Sequence, residues 1–166
     1  MIQFTVYGKS QPAGSKRAMP IYRNGANGRQ LVTRANGSPM IAVTDDNPKS
    51  CDWKHAVASA AREAYRGALL DGPLSVSFTF YRVRPKGHFG KHGLNKAGRD
   101  AEYPTTKPDV LKLARAVEDA LTGIVWRDDS QIVDERIAKE WGEPARVEIV
   151  VARRGGGSVT QIKELF

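Results

Sequence analysis

At 166 residues the chain has room for one ordinary domain with its own core, and a hydrophobic fraction of 40% beside 27% charged residues excludes a disordered chain. Its 26 lysines and arginines outnumber 18 acids, for a formal charge of +8 and a pI near 9.8; that balance points to an acidic partner such as nucleic acid, although it also serves solubility alone. Cys51 is the only cysteine, so intrachain disulfides and cysteine-based zinc sites are ruled out, which fits a reducing, cytoplasmic setting.

Ile2–Tyr7 alternates Ile, Phe and Val with Gln, Thr and Tyr, the period of a strand with one buried face. It begins like a strand and not like a signal peptide, and no apolar run reaches the roughly 20 residues of a membrane span. The next stretch, GKSQPAGSKRAMP, reads as a loop that brings Lys9, Lys16 and Arg17 to phosphates. From Ile21 to Val43, Asn-Gly pairs at 24–25, 27–28 and 36–37 mark tight turns. They predict an irregular hairpin carrying Arg23, Arg29 and Arg34, with Tyr22 either packed or stacked on a base.

Trp53, Val57, Ala60, Ala61, Ala64 and Ala68 recur at helical spacing, with Gly67 and Gly72-Pro73 as stop signals. The alanine stripe predicts close approach to a sheet. Leu74–Val83 alternates again as a second strand. Residues 84–104 are glycine-rich, basic and without periodicity, a candidate DNA-contacting loop that offers Arg84 and Lys86. His88 and His92 lie in it, but no Cys, Asp or Glu shares their local spacing, which argues against zinc.

Thr106–Leu121 reads as a second helix, with Thr106 and Asp109 in capping-box-like spacing and Pro108 in the first turn. Val110, Leu113, Ala114, Val117, Ala120 and Leu121 are its predicted buried stripe, and Gly123 ends it. Strands follow at Ile132–Glu140 and Ala145–Val151, joined by a turn at 142–144. The order β, hairpin, α, β, loop, α, β, β is an α+β pattern with a mixed sheet and two main helices. A single domain over 1–154 with a flexible tail at 155–166 is expected.

Acidic residues gather around that second helix. Phosphodiester hydrolysis needs hard cations to activate water and neutralise phosphate charge, and carboxylates bind such cations. Asp109 at the helix start and Asp128-Asp129 in the turn after it converge if the helix packs back on the next strand. Aspartates in such places are also ordinary caps.

The stretch TKPDVLKLARAVEDALTGIVWRDDSQIVDERIAK resembles the RusA family of Holliday-junction resolvases. The shared positions are Asp109, Leu113, Asp119-Ala120-Leu121, Trp126, Asp128, Asp129, Gln131 and Val133, and FTVYGKSQPAGSKR resembles that family's first strand and basic loop. The resemblance implies a homodimeric, Mg²⁺-dependent crossover junction endodeoxyribonuclease of phage type, with Mn²⁺ as a substitute ion. Its substrate would be branched DNA, cut by paired nicks inside a bacterial cell. It places Asp109 and Asp129 on the first and last of three metal-binding aspartates and Arg115 where the family has a required lysine; Asp128, beside Asp129 in the turn, is a further candidate metal ligand. Lys107 and Lys112, beside the helix start, join the candidates for DNA contact.

One position departs from the family pattern: Leu111 stands where the second metal-binding aspartate is expected. Either cleavage is weakened or lost, leaving a non-catalytic branched-DNA-binding protein, or another carboxylate substitutes, or the register shifts near the helix start. At about 100° per residue, Glu118 lies only about 20° round the helix from Leu111, though roughly 11 Å along its axis. That makes Glu118 a candidate catalytic carboxylate; a surface pair with Arg115 is the alternative. Charge alone also leaves open an RNA-binding protein.

Overall fold

The computed structural model describes residues 1–14, 16–25, 28–45 and 47–155, with the backbone alone described at 16, 44 and 45. In chain order the strands are β1 (Ile2–Tyr7), β2 (Lys16–Pro20), β3 (Tyr22–Gly25), β4 (Gly28–Leu31), β5 (Ile41–Asp45), β6 (Leu74–Arg82), β7 (Phe89–Gly90), β8 (Gly93–Leu94), β9 (Ile132–Trp141) and β10 (Arg146–Arg153). The helices are α1 (Pro48–Ala64), α2 (Lys96–Asp100) and α3 (Val110–Leu121).

Four strands make the main sheet, in the order β1-β10-β6-β9. The pairs β1/β10 and β10/β6 are antiparallel and β6/β9 is parallel, so the sheet is mixed. The connection from β6 to β9 runs through α3, as a parallel pair requires. The turn after β9 does not close a hairpin: it crosses the end of β6, where the amide of Gly142 donates to the carbonyl of Arg82 at 3.0 Å, and β10 returns on the far side of β6.

Period-2 alternation explains the core. Phe4 and Val6 of β1, Leu74, Val76, Phe78 and Phe80 of β6, and Val147, Ile149 and Val151 of β10 are all buried. They form one face of the sheet, and α1 and α3 cover it. Burial of each such side chain contributes about 1.5–3 kcal/mol. Helix α3 presents Leu113, Ala114, Ala116, Val117, Ala120 and Leu121 to this layer, and α1 presents Trp53, Val57 and Ala61. The α+β reading with a mixed sheet and two main helices is what the structure shows.

Three local readings are corrected. First, α1 starts at Pro48, since proline in the first helical turn gives up an amide that would have no partner, and it ends at Ala64. Ala68 therefore lies beyond it, and both Ala64 and Ala68 are exposed; α1 approaches α3 and β1 through Trp53, Val57 and Ala61. Second, α3 starts at Val110, not Thr106. Pro108 bars Lys107 from helical backbone, and Asp109 is the N-cap without a side-chain capping bond. Third, residues 84–104 are not an open loop: they hold β7, β8 and α2. The Trp141 indole donates to Ala101 O at 2.9 Å, and Gly98 packs against the carbonyl of His88, where a Cβ would have no room. Of the expected tail, only Gly155 is among the described residues.

Candidate active site and DNA groove

Helix α3 carries the site along its outer face. Leu111, Arg115 and Glu118 share that face at helical spacing; Leu111 is 69% exposed, Arg115 is exposed and Glu118 is half-buried. The helix runs antiparallel to β9, so its two ends meet different neighbours.

At the C-terminal end, Glu118, Asp129, Asp134 and Glu135 line a cleft of about 400 Å³ with Ser130, Ile132 and Val133. Burial pushes the carboxyl of Glu118 up from an ordinary 4.5 to about 8, helped by a hydrogen bond with Glu135 and by the charges of Glu135, Asp129 and Asp119. Two carboxyls that share a proton beside a third leave an unbalanced negative site. Asp119, next along the helix, belongs to the packing instead: it accepts from Lys54 of α1 at 2.7 Å. The pair is partly exposed, so Lys54→Met is expected to lower stability by less than about 1 kcal/mol, as thermal melting would show.

The turn that delivers Asp129 is held by its neighbours. Asp128 caps a single 3-10 turn over Asp129–Gln131, its carboxylate accepting from the amide of Ser130 at 2.9 Å. Hydrogen bonds from the Ser130 hydroxyl and amide hold its carboxyl below the usual range. Gln131 locks the turn: its oxygen accepts from the amides of Arg127 and Asp128, and its nitrogen donates to Leu70 O and Gly72 O at 3.0 and 3.2 Å. Trp126, fully buried, donates its indole N–H to Thr122 at 3.2 Å, and Gly123 takes the left-handed conformation (φ +77°) that closes α3. Asp128 thus supports the turn, while Asp129 faces the cleft.

The N-terminal end of α3 meets positive charge. Asp109 lines a groove with Lys9, Arg82, Lys107 and Lys112. Lys139 reaches the same place, donating to Thr106 O and Pro108 O at 3.1 and 3.2 Å. Burial and then Arg82 draw its pKa down, against an opposing pull from Asp109. Arg82 donates to Lys107 O at 2.7 Å. The loop before β2 docks here too, with the amide of Ala13 donating to Lys112 O at 2.8 Å.

Asp109 and Asp129, expected to hold one cation, line separate pockets in this structure. Asp109 precedes Glu118 by nine residues, roughly 13 Å along the helix axis, and Asp129 sits by Glu118. Among the described residues no three of His, Cys, Asp and Glu form a ready-made metal-ligand set. His88 is committed to an edge contact with Trp141, ring centres 5.5 Å apart.

Of the other expected DNA contacts, Lys9, Lys107 and Lys112 gather in the groove, and Arg17 and Arg23 lie exposed on β2 and β3. Lys86 is exposed beside β7, and the side chain of Lys16 lies outside the described ones. Arg84 is a correction: it donates to Gly98 O and Ala101 O at 2.7 and 3.0 Å and lies 5.0 Å over the Trp141 ring, so it pins residues 98–101. Glu135, Arg82 and Lys139 were not singled out from sequence. Strand alternation alone places Glu135 on a face of β9, and only the pairing of α3 with β9 turns that face toward Glu118.

No helix among the described residues is long and apolar enough to cross a membrane. The uncharacterized protein YqaN of Bacillus subtilis (strain 168) is 34% identical over 151 residues, an alignment covering 90% of this chain and 94% of YqaN. Residues 23–152 match the family described as Endodeoxyribonuclease RusA, so the strand, helix and turn assembled above belong to a member of the RusA family of endodeoxyribonucleases.

Proposed function

We propose that this protein is a divalent-metal-dependent, structure-selective endonuclease that resolves four-way DNA junctions by paired nicks, as a homodimer. The observation that carries the reading is the carboxylate cleft at one end of α3, with a lysine-lined groove at the other. The oxygen donors of Glu118, Asp129 and Glu135 suit a hard cation, Mg²⁺ with Mn²⁺ as substitute, and a cation is what their shared proton and mutual repulsion call for. Bound there, the ion would neutralise charge that builds on the scissile phosphate and ease the ionisation of water.

The chain's own residues take the remaining tasks. Arg115, one turn before Glu118, offers a planar fork to a phosphate oxygen. Lys9, Lys107 and Lys112 hold the DNA backbone, and Gln131 with Asp128 fixes the turn under Asp129. Leu111 takes no part, because Glu118 supplies a carboxylate on its helical face. Asp109 sets the charge balance of the basic groove.

Two identical sites related by a twofold axis are the simplest means of cutting two strands of one junction symmetrically. Incubation with synthetic four-way junctions in Mg²⁺ or Mn²⁺ should give paired incisions. Tight binding with no nick in either metal would sink the enzyme and leave a junction-binding protein, the reading Leu111 motivates. A protein that stays monomeric at micromolar concentration would argue against paired cuts.

A further inference from the structure

Residues 16–43 include five basic residues and no acidic one, in a chain with 18 acids elsewhere. None of the described residues from 17 to 43 is buried. Strands β2 and β5 pair as a stem, and β3 and β4 pair as a hairpin beyond it. A second small hairpin closes through the Thr33–Pro39 bridge, with Arg34 N donating to Ser38 O at 2.8 Å. The three ladders meet where Ile21 N donates to Met40 O, Met40 N to Val32 O and Val32 N to Ile21 O, at 2.8 to 2.9 Å. The result is a branched ribbon standing off the main sheet.

Its surface is apolar and cationic together. Met19, Tyr22, Leu31, Met40, Ile41 and Val43 are exposed, and Arg29 stacks 4.5 Å over the Tyr22 ring. An apolar surface of this kind needs a partner. A second copy of the ribbon is a poor one, since twofold pairing would bring together two surfaces that each carry Arg17, Arg23, Arg29 and Arg34 and no acid to offset them. A polyanion with apolar groove edges is a good one, because a two-stranded ribbon fits the DNA major groove and arginines reach the phosphates on either side. The stem is rooted beside the basic groove, through Ala13 on Lys112 and the Asn47 amide donating to Pro12 O at 3.0 Å.

We propose that this branched ribbon is a second DNA-binding element, gripping duplex DNA that flanks the cleavage cleft; the inference rests on the nuclease reading for its substrate. The test is binding of a linear duplex between 50 and 200 mM salt by a variant carrying Arg17→Ala, Arg23→Ala, Arg29→Ala and Arg34→Ala. The slope of log affinity against log salt should fall by about 3 to 4, close to one unit for each of the four arginines removed, with affinity down at least about tenfold at the low-salt end. The matching four-lysine variant should keep the slope, which separates removal of charge from failure to fold. An unchanged slope in the alanine variant, the result if the ribbon served an acidic protein, would overturn the proposal, as would an equal drop in the lysine variant. Nicking of junctions by the unaltered protein is scored separately, so the nuclease reading and the ribbon's role fail on different measurements.

Discussion

Asp129→Asn is expected to slow junction nicking by on the order of a hundredfold or more, with junction affinity unchanged or slightly tighter because one negative charge near the DNA is gone. The amide keeps the shape of the carboxylate and its place on the turn that Asp128 and Gln131 hold, so folding should be intact. Its neighbours in the cleft are Glu118, Asp134 and Glu135, and a charge is lost where a cation needs it most. Asp109→Asn is the informative contrast. Asp109 lies among Lys9, Arg82, Lys107 and Lys112, so Mn²⁺ should still raise the Tm of that variant and should fail to raise that of Asp129→Asn. Equal loss of the Mn²⁺ effect in both would show that one cation joins them after all.

The second large effect concerns pH. Glu118 is held at about 8 in the folded chain against an ordinary 4.5, so between those values the folded state keeps a proton the unfolded state has released. A raised carboxyl pKa means stability that is intact below about pH 4.5 and declines as pH rises toward 8. Discounted for the partial exposure of the group, the loss is about 2 kcal/mol, or roughly 4 to 8 °C in Tm. Glu118→Gln, which keeps a hydrogen-bond donor toward Glu135 without ionising, should flatten the Tm profile between pH 5 and pH 8. Mg²⁺ or Mn²⁺ should restore the unaltered protein at alkaline pH and do little for the glutamine variant. A Tm profile of equal slope in both proteins would remove Glu118 as the group responsible.

Much of the fold was legible because it follows short-range rules. Alternation in Ile2–Tyr7 and Leu74–Arg82 and helical spacing in Val110–Leu121 identify their elements to within a residue or a few. The ordering of the sheet was not, because nothing local to Arg146–Arg153 says that it pairs with both β1 and β6 across distant chain. The site divided in the same way. Asp129 and Glu118 stood out by residue type and helix geometry. Asp109 and Asp129 line different pockets because they flank opposite ends of α3, an arrangement that motif spacing does not show. Arg84 looked like a DNA contact, since sequence cannot show a guanidinium spent on the carbonyls of Gly98 and Ala101.

The position of β10 has a consequence for synthesis. The sheet's inner strand next to β1 is the last element among the described residues, so a nascent chain that has reached residue 145 holds β6 without its antiparallel neighbour and β1 with no strand beside it. Assembly of the hydrophobic layer must await Arg146–Arg153, whose pairing with Ile2–Tyr7 closes a loop nearly the length of the chain, a non-local step of the kind that slows folding. Until then Phe4, Val6, Phe78 and Phe80 lack the strand that separates them, which leaves apolar side chains and unpaired strand edges open to aggregation on the emerging polypeptide.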